Sequence, residues 1–336
     1  MVKKRILLSI FLLLTLILSA CGGSSENAGA GEGKKEPIKI GFSALPSWYL
    51  WHLVEEKGFF EKHGVEVELV WFPVYADSLA ALNTGKVDGN SQALLDTITP
   101  LAEGIDLKAV FITDTSNGGD GLVSAKEISK IQDLKGKKIG TEIGTIEHFF
   151  MLTALKDAGM KESDVEFTNL AIADAGNAFL SGNLDAAGLW EPFLSKAVEK
   201  EGTHKLVTSA EYPGLISDVF AVRGEVAKEQ KEEIEKVTAA WFEAVEYLKE
   251  NPDESIKIMA DAAAISAEEM KVGLEGFKIF TAEETQAAFK KGNTYQSFYY
   301  TAHQNAKFLE DLDFISEVPD FSKFVDRSFI EKELEQ

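Results

Sequence analysis

The chain has 336 residues, 45% of them hydrophobic and 26% charged, which is enough for one large core or two ordinary lobes. Its 34 Lys+Arg stand against 55 Asp+Glu, a formal charge of -21, so nucleic acid and anionic lipid headgroups are poor partners. The single cysteine, Cys21, excludes a disulfide framework, a CxxC redox pair and a cysteine zinc site.

Lys3, Lys4 and Arg5, the apolar run Ile6 to Leu14, and Leu18-Ser19-Ala20-Cys21 predict a secretory signal over residues 1–20. Thr15 breaks the apolar run short of the ~20 residues a membrane span needs. Leu-Ser-Ala-Cys is similar to the lipobox at which bacterial lipoproteins are acylated and cleaved. That implies palmitate-type lipid on Cys21 and a protein anchored to the extracytoplasmic face of the cell membrane. Loss of the signal removes Lys3, Lys4 and Arg5 and no acidic residue, taking the formal charge from -21 to -24. Residues 21–37, rich in Gly, Ser and charge, read as a flexible linker between anchor and folded body.

Lys39 to Phe42 predicts a buried strand, and the apolar spacing from Trp48 to His63 predicts a helix. Val65, Val67 and Leu69 alternate with Glu66 and Glu68 as a strand does. Asp77 to Leu82 reads as a second helix closed by Gly85, with Val87-Asp88-Gly89 opening a third strand. The order βαβαβ calls for a parallel sheet. It recurs as Lys138 to Gly140, Glu147 to Ala158, Val165 to Phe167, Asn177 to Leu180, then Leu184-Asp185. Ile40 and Asp88 are 48 positions apart and Ile139 and Asp185 are 46 apart, and both stretches end in Gly-x-x-Asp, Gly85 with Asp88 and Gly182 with Asp185. Two α/β lobes of one plan are expected.

Asp114 to Asp120 is a polar, Gly-rich stretch where the chain can cross between lobes, and Ser217 to Val222 is a plausible return. Lobe 1 is therefore expected over 38–120 and 219–336, and lobe 2 over 121–218. Ile234, Val237, Trp241, Val245 and Leu248 share a face of a long helix ended by Asn251-Pro252. Ser266 with Glu269 and Thr281 with Glu284 are capping-box spacings that start two further helices.

Gly58-Phe59-Phe60-Glu61-Lys62-His63-Gly64-Val65-Glu66-Val67, Leu82-Asn83-x-Gly85-x-Val87-Asp88 and Asp133-Leu134-Lys135-Gly136-Lys137-Lys138-Ile139-Gly140 resemble the solute-binding lipoproteins of ABC importers. The resemblance is to their nitrate, sulfonate, taurine and thiamine-pyrimidine branch, the SsuA- and NMT1-like proteins of the type 2 periplasmic-binding-protein superfamily. It covers residues 38 to 225 by motif and the helical remainder by pattern. It implies a two-lobed α/β fold with a ligand cleft and a helical C-terminal region. It also implies a monomer without cofactor that captures a small solute and delivers it to ABC permease and ATPase subunits. Fungal pyrimidine synthases share the plan, but their cysteine-rich motif has no counterpart here, and neither a Gly-x-Ser-x-Gly nor a phosphate loop is present, so no enzyme is expected. A sensory lipoprotein is the other class compatible with the pattern.

In open α/β sheets ligands sit beyond the carboxyl ends of the strands, so the loops there carry the candidates. These are Ser43, Trp48 and Tyr49 after the first strand; Asn90, Ser91, Gln92 and Asp96 after the third; Glu142, Thr145 and Glu147 after the first strand of lobe 2; Trp190 and Glu191 after its third; and Asp114 and Asp218 at the crossings. Trp51 and Trp241 read as packing, and His148 as a helix-surface residue. The histidines have no metal spacing. Arg5, Arg223 and Arg327 are the only arginines, and none is in these loops. Carboxylates beside indole faces suit a planar cation, so a guanidinium-like solute is expected. Aliphatic sulfonate, taurine or nitrate, held at a helix N terminus such as Gly144-Thr145, and an aminopyrimidine are the alternatives. The Asp-Trp-x-Pro-Asn of the pyrimidine-binding branch is replaced by Phe42-Ser43-Ala44-Leu45-Pro46.

Overall fold

In the computed structural model residues 36–335 are described; the predicted signal, the predicted lipid acceptor Cys21 and most of the predicted linker lie outside the described residues. Among the described residues eleven strands form two sheets. The first has the order β11-β4-β10-β3-β1-β2, from β1 (Ile38–Ser43), β2 (Val67–Phe72), β3 (Gly89–Ala93), β4 (Leu107–Ser116), β10 (Ser217–Arg223) and β11 (Phe277–Ile279). The second has the order β7-β6-β8-β5-β9, from β5 (Asp120–Ser124), β6 (Lys138–Thr141), β7 (Glu166–Asn169), β8 (Ala186–Trp190) and β9 (His204–Thr208).

The sheets repeat one plan. β1 pairs parallel with β2 and β3, as β6 does with β7 and β8. An antiparallel strand then adds to the third, β10 on β3 and β5 on β8. The shared Gly-x-x-Asp has a mechanical role in both halves. Gly85 and Gly182 take left-handed φ values of 73° and 79°, ending the helices Tyr75–Asn83 and Ile172–Leu180 as only glycine does without strain. The aspartate that follows accepts the first-strand amide across the sheet, Lys39 N to Asp88 at 2.8 Å and Lys138 N to Asp185 at 2.9 Å.

The expected helix from Trp48 to His63 is three pieces: a 3-10 turn at Pro46–Tyr49, a helix at Leu50–Glu56 and another at Phe59–His63. Gly58, at φ 69°, turns the chain between the last two. Trp51 and Trp241 are fully buried, ring centroids 4.4 Å apart, and lie against Phe111 and Phe220. They tie the long helix Lys231–Glu250 to the first sheet as its apolar stripe predicts. Both capping boxes form, at Ser266 with Glu269 and Thr281 with Glu284. No described helix is long and apolar enough to cross a membrane.

The chain passes from β4 to β5 and returns from β9 to β10 through neighbouring segments. Ser116 N donates to Ile216 O at 3.1 Å, and the Ser116 and Ser209 hydroxyls are 2.7 Å apart. Asp120, expected at the end of lobe 1, opens β5 in the second sheet, while Ser217 and Asp218, expected at the end of lobe 2, belong to β10 in the first.

Candidate binding site between the lobes

The strand plan delivers two aspartates to the cleft. β10 enters the first sheet beside the carboxyl end of β3, so Asp218 stands opposite Ala93 on one side and Asp114 on the other. β5 enters the second sheet the same way, and Asp120 stands opposite Trp190. Between them is a cavity of about 20 Å³, lined by Leu45, Trp48, Tyr75, Asp120, Trp190 and Asp218 with Ala93, Ile146, Ile216 and Phe277. That volume holds about one water, so the cleft is shut.

Three aromatic rings wall it. Trp48 and Tyr75 are 5.6 Å apart and tilted, and Tyr75 meets Trp190 of the other lobe edge-on at 5.6 Å. The Trp190 indole N–H donates across the cleft to Ala44 O at 3.0 Å, whereas Trp48 Nε1 is buried without a partner. Tyr75 accepts the Ala93 amide and donates to Asp96, both at 2.8 Å.

Each lobe also caps a helix of the other. Asp96 of the first lobe accepts Ile146 N, at the start of the helix Ile146–Asp157, at 3.4 Å. Glu142 of the second accepts Ala76 N, in the first turn of Tyr75–Asn83, at 2.7 Å. Helix N termini attract anions, and here the chain supplies the anions itself.

Behind the lining aspartates stand two more acids. Asp114 takes a hydrogen bond from the Ser47 hydroxyl at 2.8 Å and contacts Asp218. Glu147, fully buried, contacts Asp120, and no N–H or O–H donor reaches either of its oxygens. Burial is the leading cause that pushes these acids up: Asp96 and Asp114 to about 7, Asp120 to about 6, and Asp218 and Glu147 well above the carboxylate range. Carboxylate neighbours add to the rise: Asp114 and Asp120 beside Asp218, and Asp120 beside Glu147. Burial raises Glu142 and Glu191 as well. Among the described residues no group of His, Cys, Asp or Glu is arranged to hold a metal ion.

Of the residues singled out from sequence, Trp48, Trp190 and Asp218 line the cavity, with Asp114 and Glu147 behind it and Asp96 and Glu142 bridging the lobes. Thr145 donates to Glu142 O at 2.9 Å and so shapes that loop. The others are used within the fold. Ser43 donates to Phe72 O, Tyr49 packs on Phe42 and His52, and Ser91 accepts the Trp51 indole N–H. Asn90 donates to Gln92, and all three of Asn90, Ser91 and Gln92 lie inside β3 rather than in a loop after it. Glu191 accepts from the Ser195 amide and hydroxyl. His148, expected on the surface, is buried edge-on against Phe167, because the helix Ile146–Asp157 is buried nearly all round. Tyr75 and Asp120 were not singled out; the alternation of Asp120 with Leu122 in a strand was the available signal.

A larger cavity of about 280 Å³ lies alongside, lined by Leu79, Leu95, Phe149, Leu152, Phe308 and Phe314 among others. Asn83, Asp96, Thr99, Glu103, Thr145 and His148 line it as well; the smaller cavity is the candidate recognition site because Asp120 and Asp218 meet there from the two lobes.

The NMT1/THI5-like family model matches residues 52–255, more than half of the chain. The sequence is 29% identical over 259 residues, 76% of this chain and 80% of the relative, to an Escherichia coli (strain K12) protein whose name assigns it aliphatic sulfonates. It is 26% identical over 289 residues, 81% and 86% of the two chains, to the taurine-binding periplasmic protein of that strain. The crystal structure of the periplasmic aliphatic sulphonate binding protein SsuA from Escherichia coli matches with a TM-score of 0.71 at 23% identity, over 88% of this chain and 99% of that one. The likeness shows the two-lobed periplasmic-binding-protein fold.

Proposed function

The chain belongs to the NMT1/THI5-like family, and from that premise we propose that it is the solute-binding component of an ABC import system, working outside the membrane, whose solute is a small cation of guanidinium type. The lobe built on the first sheet and the lobe built on the second, with the chain crossing between Ser116 and Asp120 and returning between Thr208 and Ser217, close on the solute and present the closed form to a permease, with Cys21 as the lipid anchor of a monomer. Capture needs no bond-making chemistry, and no catalysis is proposed.

One observation carries the solute class: the shut cavity is lined by Asp120 and Asp218, backed by Glu147 and Asp114, and none of its lining residues is Lys, Arg or His. Two like charges ~4 Å apart repel by about 4 kcal/mol at an effective dielectric constant of 20, so an anion is opposed here. Two helix N termini at the cleft, those of Tyr75–Asn83 and Ile146–Asp157, are already occupied by Glu142 and Asp96. A planar cation with several N–H groups has acceptors at the aspartates and ring faces at Trp48, Tyr75 and Trp190.

A second reading, a sulfonate or taurine, is favoured by the names of the two Escherichia coli relatives. A thermal-shift screen with guanidinium, methylguanidinium, urea, taurine, methanesulfonate and nitrate separates the two, since a ligand at a hundred times its dissociation constant stabilises by ~2.7 kcal/mol. Stabilisation by the guanidinium compounds alone is expected, and stabilisation by sulfonates alone refutes the cationic reading.

A further inference from the structure

The acids of this site come in contacting pairs, one in each lobe. Asp218 lines the cavity with Asp114 beside it on β4, and Asp120 lines it with Glu147 behind, on the helix Ile146–Asp157. Asp114 Oδ1, Asp120 Oδ2 and both oxygens of Glu147 are buried without a well-formed hydrogen bond, with the Thr113 hydroxyl beside Asp114 and the Ser116 hydroxyl beside Asp120. A carboxylate only accepts hydrogen bonds, so two acids in such contact, away from water, require a proton between them.

Resting on the cationic reading, we propose that each pair, Asp114 with Asp218 and Asp120 with Glu147, shares a proton in the empty closed site, and that solute binding exchanges protons for the cation. The cation enters with its N–H groups toward the aspartates, and a proton leaves to solvent. With one proton released per monovalent cation, the charge of the site is unchanged and no net charge is buried. Protons then compete with solute for the same oxygens, and acid surroundings weaken capture.

The neighbouring groups reinforce this. Asp218 faces Asp96, Asp114, Asp120 and Tyr75. Asp120 faces Ser116, Glu147 and Glu191, and Glu191 is reached by Ser195 and by Lys205. Asp96 faces Glu142, which faces Asp77. The upward displacement of Asp114 to about 7 and Asp120 to about 6 places the exchange near neutral pH.

The test is isothermal titration calorimetry with guanidinium chloride from about pH 5.5 to about pH 8.5, each point in two buffers of different ionisation enthalpy. Exchange predicts affinity that tightens by roughly tenfold per pH unit for each proton released, and a heat that differs between the buffers. Glu147→Gln should flatten the pH profile and shrink the buffer difference. If that variant does not fold, the buffer pair on the unaltered protein still decides. Binding with one affinity and one heat at every pH overturns the exchange and spares the cationic reading. A folded protein that binds no guanidinium at any pH overturns both.

Discussion

Asp120 and Asp218 hold equivalent places in the two lobes: each stands on the antiparallel strand that joins its sheet beside the third parallel strand, opposite that strand's last residue, Trp190 for Asp120 and Ala93 for Asp218. One structural plan, used twice, delivers a carboxyl to each side of the cleft. Asp120→Asn and Asp218→Asn keep the shape and remove the charge. Each should weaken guanidinium binding by roughly 10- to 150-fold, the range of a hydrogen bond to a charged group, without lowering the melting temperature of the empty protein. Calorimetric titration with parallel melting curves checks both, and unchanged binding in both variants would place the solute elsewhere.

The reciprocal helix caps predict how the lobes part. On the alkaline side of about pH 7, where Asp96 is ionised, Asp96→Asn and Glu142→Gln each replace an ionised cap by a neutral one, a change of about 0.3–1 kcal/mol in favour of the open form. Together they should raise the open population several-fold and enlarge the radius of gyration in small-angle scattering. A profile identical to that of the unaltered protein would mean that the caps do not hold the closed state.

Stability should fall as pH rises toward neutral, opposite to the usual acid lability. Asp96 and Asp114 are lifted from 3.8 to about 7 and Asp120 from 3.8 to about 6, so between those values the folded protein binds more protons than the unfolded chain. Their contribution is full below about pH 4 and lost through about pH 7. Acids held low by partners, such as Glu243 beside Lys62 and His63, act in reverse at lower pH. A melting-temperature maximum on the acid side of neutral is expected for the empty protein, shifting alkaline with saturating guanidinium. A maximum at alkaline pH without ligand would contradict it.

Asp88 and Asp185 make the same brace, so Asp88→Ala and Asp185→Ala should each cost about 0.5–1.5 kcal/mol, the net contribution of one hydrogen bond. Chemical denaturation measures this, and a loss in only one variant would deny them a common role.

Much of the fold was legible because its signals are local. Alternation at Val65 to Leu69, the caps at Ser266 and Thr281, and the repeated Gly-x-x-Asp each depend on a few neighbouring residues. β3 was placed too early because Gly89-Asn90-Ser91-Gln92-Ala93 has no β-branched residue; it is a strand because β1 and β10 flank it. The site was legible where a residue type was unusual for its place, as with Trp190 and Asp218. Tyr75 was hidden because its helix starts before Asp77, where that helix was expected to begin, and Asp120 because its Gly-rich surroundings read as a crossing.

The sign of the solute's charge is the central claim, and one titration reads it most directly. Tryptophan fluorescence, reporting Trp48 and Trp190, is followed while guanidinium and then taurine or methanesulfonate are added to the purified protein at about pH 8. Saturable change with guanidinium and none with the sulfonates is the predicted result. Saturable change with a sulfonate and none with guanidinium would contradict it.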